Sequence, residues 1–94
     1  MKTFILGTSV KITSILNVAT ATSAVITIED SSRSDKVTEA NMYQDADNVY
    51  YYILQTLESW TSGTYVVTVK ITYCGYDSLQ EMRFNMVDPF DPVD

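Results

Sequence analysis

From Ser62 to Tyr73 the chain reads Ser-Gly-Thr-Tyr-Val-Val-Thr-Val-Lys-Ile-Thr-Tyr, and this stretch constrains the fold more than any other. Tyr65, Val67, Val69, Ile71 and Tyr73 share one parity, while Thr64, Val66, Thr68, Lys70 and Thr72 share the other. Successive side chains of a strand point to opposite faces, so the pattern is a long strand with one face turned to a core. β-Branched and aromatic residues at nearly every position suit a pleated, half-buried surface. Gly63, at the head of the stretch, supplies backbone angles that other residues avoid.

The rest of the chain supplies partners for this strand. Phe4 to Leu6 reads as a first strand. Val10, Ile12 and Leu16 alternate with Lys11, Thr13 and Asn17 in a second, where Ile15 breaks the alternation and suggests a bulge. Ala24, Ile26 and Ile28 mark a third, followed by the turn-forming run Asp30 to Asp35. Val37, Ala40 and Met42 make a weak fourth strand, and Gln44 to Asn48 reads as a turn. Val49 to Gln55 is the fifth strand and the opening stretch the sixth. Gly75 to Ser78 reads as a turn and Leu79 to Val87 as the seventh strand. Seven short strands with frequent turn signals predict an all-β sandwich over residues 1–87. The expected shared core is Val10, Ile12, Leu16, Ala24, Ile26, Ile28, Tyr65, Val67, Val69, Ile71, Met82 and Phe84. Residues 88–94 form an acidic tail whose two prolines cannot continue a ladder.

Composition removes whole classes of function. Ninety-four residues make one domain. A net charge of −6 argues against nucleic acid and against an anionic membrane surface as partners. The chain has no histidine, so histidine-based general base catalysis, triads and metal sites are excluded. Its single cysteine, Cys74, has no partner for an internal disulfide and no neighbouring cation to activate it. The opening Met1 to Gly7 holds an apolar run too short for a signal peptide, which leads to the expectation of synthesis and assembly in a cytoplasm. No catalytic residues and no cofactor are expected.

Three features remain as candidate sites. Asp45 and Asp47 have oxygen ligands at a spacing that a calcium loop could use, but no bidentate glutamate follows, and a self-capping turn is the favoured reading. Val49 to Tyr52 places three tyrosines in succession, so at least one points away from the core. Trp60 either plugs one end of the sandwich beside Leu57 or anchors a partner. Phe90, in the acidic tail, is a candidate docking side chain.

The segment Gly63-Thr64-Tyr65, followed by Val67 and Val69, resembles the strand that closes immunoglobulin-like and fibronectin-like sandwiches, and Val49 to Tyr52 is similar to the strand before it. The resemblance implies that the Tyr65 hydroxyl caps a corner between the two strands. It also implies that Tyr50, Tyr52 and Leu54 point inward. Val49, Tyr51 and Ile53 then form an outward row, read either as a contact surface or as cross-strand packing on one sheet. The Cys…Trp…Cys pattern of antibody domains is missing. The chain is similar to the single immunoglobulin-like domains of tailed-phage virions. That likeness implies a structural protein of the head surface, neck or tail, in contact with other virion proteins or copies of itself, and located in the virion. The alternative is a cell-surface or secreted adhesion module that binds protein or carbohydrate.

Overall fold

The computed structural model describes residues 2–16 and 21–89. Within them lie eight strands and no helix: β1 (Lys2–Ile5), β2 (Ser9–Ile15), β3 (Ser23–Glu29), β4 (Asp35–Asn41), β5 (Tyr43–Ala46), β6 (Val49–Gln55), β7 (Gly63–Tyr73) and β8 (Tyr76–Val87). They form a five-stranded sheet, β1-β8-β7-β3-β4, and a three-stranded sheet, β2-β6-β5. All pairings are antiparallel except that of β1 with β8, which is parallel.

The alternation of the opening stretch sets the core. Tyr65, Val67, Val69 and Ile71 of β7 are buried, between Ile26 and Ile28 of β3 on one side and Phe84 of β8 on the other. They meet Val10, Ile12, Tyr50 and Leu54 of the three-stranded sheet in a single apolar cluster, so the two sheets face each other as a sandwich. Of the expected core, Met82 is the exception: it packs against the cluster half-buried. Tyr73 also departs from its parity, because it projects past the edge of the sandwich and is exposed.

The chain changes sheets between β1 and β2, and Thr56 fixes that crossing. Its buried hydroxyl accepts the Gly7 N–H at 2.9 Å and donates to the Thr8 carbonyl at 2.6 Å. The Thr8 carbonyl also accepts the Thr56 N–H at 3.3 Å, so Thr56 holds both sides of the crossing with its hydroxyl and its backbone.

Three sequence expectations are corrected. The strands number eight, because Tyr43–Ala46 forms β5 where Gln44 to Asn48 was expected to turn; only Asp47 and Asn48 remain in the turn. Ile15 is not a bulge: β2 pairs with β6 in unbroken register from Ser9↔Gln55 to Ile15↔Val49. Ser14 takes the inward position instead, made tolerable by a hydrogen bond from its hydroxyl to the Gln80 side-chain carbonyl. Finally, the β7–β8 turn is Cys74-Gly75, and β8 begins at Tyr76 rather than Leu79. Both turn residues have positive φ, 53° and 80°, the backbone that matches the twist of a two-residue hairpin.

Candidate protein-contact face

The unbroken β2–β6 register determines what the three-stranded sheet shows to solvent. Val10, Ile12 and Ser14 point inward with Tyr50 and Leu54. Lys11, Thr13 and Ile15 therefore share the outer face with Val49, Tyr51 and Ile53. Ile15 sits opposite Val49, Thr13 opposite Tyr51 and Lys11 opposite Ile53. On the other side of β6, Tyr43 of β5 sits opposite Tyr51, with ring centroids 5.7 Å apart.

Five of these side chains are large and apolar. Ile15 is 69% exposed, Tyr43 59% and Ile53 47%, while Val49 and Tyr51 are half-buried among them. The face carries one cation, Lys11, whose Nζ lies 4.9 Å from the Tyr51 ring centroid, a cation–π arrangement. Asp45 and Asp47 lie at its hairpin end, both exposed. Tyr52, assigned inward with Tyr50 and Leu54, is half-buried.

The sequence placed Val49, Tyr51 and Ile53 in one row, and the structure places them on one face. It adds Ile15 and Tyr43, which the sequence reading missed. Ile15 is reached by continuing β2 through Ser14 without interruption. Tyr43 left no such signal: a two-residue turn alone would set Gln44 opposite Tyr51, and the register shift between Gln44 and Ala46 brings Tyr43 there instead.

Gly63, Tyr65 and Trp60 belong to a different place, the corner between β6 and β7. The Tyr65 hydroxyl donates to the Thr61 carbonyl at 2.7 Å. Burial, with the Asp30 carboxylate nearby, pushes its pKa up to about 12. Trp60 stacks on Tyr65, with centroids 6.4 Å apart and planes 20° apart, and Lys36 Nζ lies 5.1 Å above its ring. Trp60 thus packs against the core as a half-buried plug, while Leu57, expected beside it, is exposed. The β3–β4 loop closes the corner from above. Ser31 Oγ donates to the Ser62 carbonyl at 2.8 Å, and a Cβ on Gly63 would lie 2.7 Å from the Ser31 Cβ.

Asp45 and Asp47 gain no further carboxylate. Gln44 Nε2 donates to the Asp47 carbonyl at 3.1 Å and fastens the turn. Among the described residues no three acidic or cysteine side chains gather to hold a cation. Cys74 is an exposed turn residue. Phe90 lies outside the described residues. No protein-family model and no curated protein sequence matches the chain.

Proposed function

We propose that this chain is an immunoglobulin-like β-sandwich that works without catalysis as a structural protein of a tailed-virus particle, making protein contacts through the outer face of β2-β6-β5. The observation that carries the contact reading is the joined row of Ile15, Val49, Tyr51, Tyr43 and Ile53. An antiparallel sheet with one face in water normally alternates apolar-in with polar-out. Here the outward positions repeat large apolar and aromatic side chains, the composition of an interface centre.

The strand order supports the immunoglobulin-type reading. With β2, β5 and β6 taken as strands B, D and E, and β3, β7 and β8 as C, F and G, the sheets are B-E-D and G-F-C, and β4 extends the latter beside C. The corner tyrosine supports it as well. Tyr65 stands near the start of strand F and bonds to backbone four residues upstream. Two residues later, where antibody domains keep a disulfide cysteine, Val67 is fully buried and packs in its place.

The virion setting comes from the sequence resemblance to short single domains that hold together without a disulfide. Particles purified on a density gradient test it. The chain is expected in them at a constant ratio to the shell protein, read by quantitative mass spectrometry. Its absence from particles overturns the virion setting, and display on the producing cell instead supports an adhesion module.

A further inference from the structure

Along the outer edge of β2 the two sheets do not close on each other. A cavity of about 280 Å³ opens between them, lined by Phe4, Val10, Ile12, Met82 and Phe84, with Lys2 at its mouth. Phe4 meets Phe84 edge-on, with ring centroids 5.8 Å apart. Met82 and Phe4 stay half-buried because this side of the core is open. A cavity of about 150 Å³ lined by aliphatic and aromatic side chains holds benzene, so this space admits a phenyl ring.

Lys2 adds a charge requirement. It shares its β1 parity with Phe4, so its side chain lies on the inward side of that strand. The chain has six cations. Lys11 lies over Tyr51, and Arg33, Lys36, Lys70 and Arg83 pair with Glu29, Asp30, Asp77 and Glu81. Among the described residues Lys2 alone has neither an acid nor a ring. An apolar cavity with an unpaired ammonium at its mouth suits an aromatic group that carries an acid beside it.

The chain itself contains that combination. In Asp88-Pro89-Phe90-Asp91-Pro92-Val93-Asp94, Phe90 and Asp91 set an aromatic ring next to a carboxylate. The prolines on either side lack an N–H donor, so this segment offers side chains rather than another ladder strand. Within one chain, however, Phe90 falls short of the cavity. Phe84 and Met82 stand three and five positions before Val87, about 10–16 Å back along β8. Phe90 stands three positions after Val87. A reversal at Asp88 and Pro89 returns the chain only to about the level of Val87, and β1 lies beside β8 from Val87 back to Phe84.

We infer that the cavity receives Phe90 of a second copy, whose Asp91 accepts a hydrogen bond from the Lys2 ammonium of the receiving chain. The ring enters between the sheets, so the pairing of β1 with β8 is left intact. Arm and cavity are separate surfaces of one chain, an arrangement that suits repeated copies in a closed assembly. The exchange uses neither the outer face of β2-β6-β5 nor the virion setting.

Sedimentation equilibrium of the full chain tests it. The wild type should associate reversibly, and less as salt rises. Phe90→Ser should raise Kd about tenfold or more, and so should Lys2→Glu, an exposed position whose exchange leaves the core intact. Lys2→Glu combined with Asp91→Lys should return Kd to within about threefold of wild type. Tyr43→Ser, on the contact face, should leave it unchanged, so failure of that face and failure of the arm are told apart. The Phe90→Ser chain keeps its cavity and gives a second readout. A synthetic peptide of residues 88–94 should shift its Ile12 and Met82 methyl resonances, and the same peptide with Phe90→Ser should not. A wild type that stays monomeric up to about 1 mM overturns the inference. So does association indifferent to Phe90→Ser, or a peptide that leaves both methyl resonances unmoved. A monomeric wild type whose Met82 resonance moves on Phe90→Ser would place the arm on its own domain and likewise overturn the exchange.

Discussion

The Tyr65 hydroxyl donates a 2.7 Å hydrogen bond to the carbonyl of Thr61, four residues before it. The bond ties the start of β7 to the loop that delivers it, under the stacked ring of Trp60. Tyr65→Phe keeps the ring and removes the bond, leaving the carbonyl without this donor, so it should lower stability by about 1 kcal/mol or more. The pH dependence supplies an independent check. The folded phenol titrates at about 12, above the unfolded value of about 10. Its contribution is therefore fully present below the unfolded value and falls away as pH rises through the folded one. Urea unfolding between pH 9 and 12 should show this alkaline loss in wild type and a shallower one in Tyr65→Phe.

Gly63 holds the same corner through its backbone. Its φ is +126°, and a Cβ there meets the Ser31 Cβ at 2.7 Å. Gly63→Ala should cost about 1–3 kcal/mol in chemical denaturation through strained backbone. Adding Ser31→Gly relieves the clash but not the φ, so the pair should recover part of the loss. Full recovery would show that the collision alone mattered.

Asp30 anchors the loop above that corner. Its Oδ1 accepts the Ser32 hydroxyl at 2.7 Å, the Ser32 N–H at 2.9 Å and the Ser34 N–H at 3.0 Å. The Ser32 hydroxyl first, then the Ser34 and Ser32 amides and Lys36, hold its pKa below the ordinary carboxylate value, against burial, which pushes it up. A carboxylate with a lowered folded pKa stabilises the fold above its unfolded value, and that contribution is lost as pH falls through the folded one. Melting temperature followed from neutral pH into acid should therefore fall less steeply in Asp30→Asn than in wild type, from a lower neutral starting point.

Much of this was legible in the residues, and the gaps have physical causes. The period-2 run from Gly63 to Tyr73 marked β7 and its buried parity, because a central strand packed on one face has little freedom in sequence. The three tyrosines of β6 showed that an aromatic side chain had to face outward. Ile15 was misread because Ser14 occupies a core position by bonding Gln80, and a buried polar partner across the sandwich leaves no periodic trace. The Cys74-Gly75 turn was misplaced because cysteine is an uncommon residue for a left-handed position. β5 was read as turn because its four residues are all exposed and carry no burial pattern.

The most direct test of the central claim, that the chain works through the outer face of β2-β6-β5, is its occupancy on purified particles. Tyr43→Ser with Ile53→Lys replaces two exposed side chains of that face, so the isolated domain should keep its melting temperature. Loss of an aromatic anchor from an interface centre should reduce copies per particle about tenfold or more against wild type. A folded double variant that fills particles at wild-type occupancy would contradict the account.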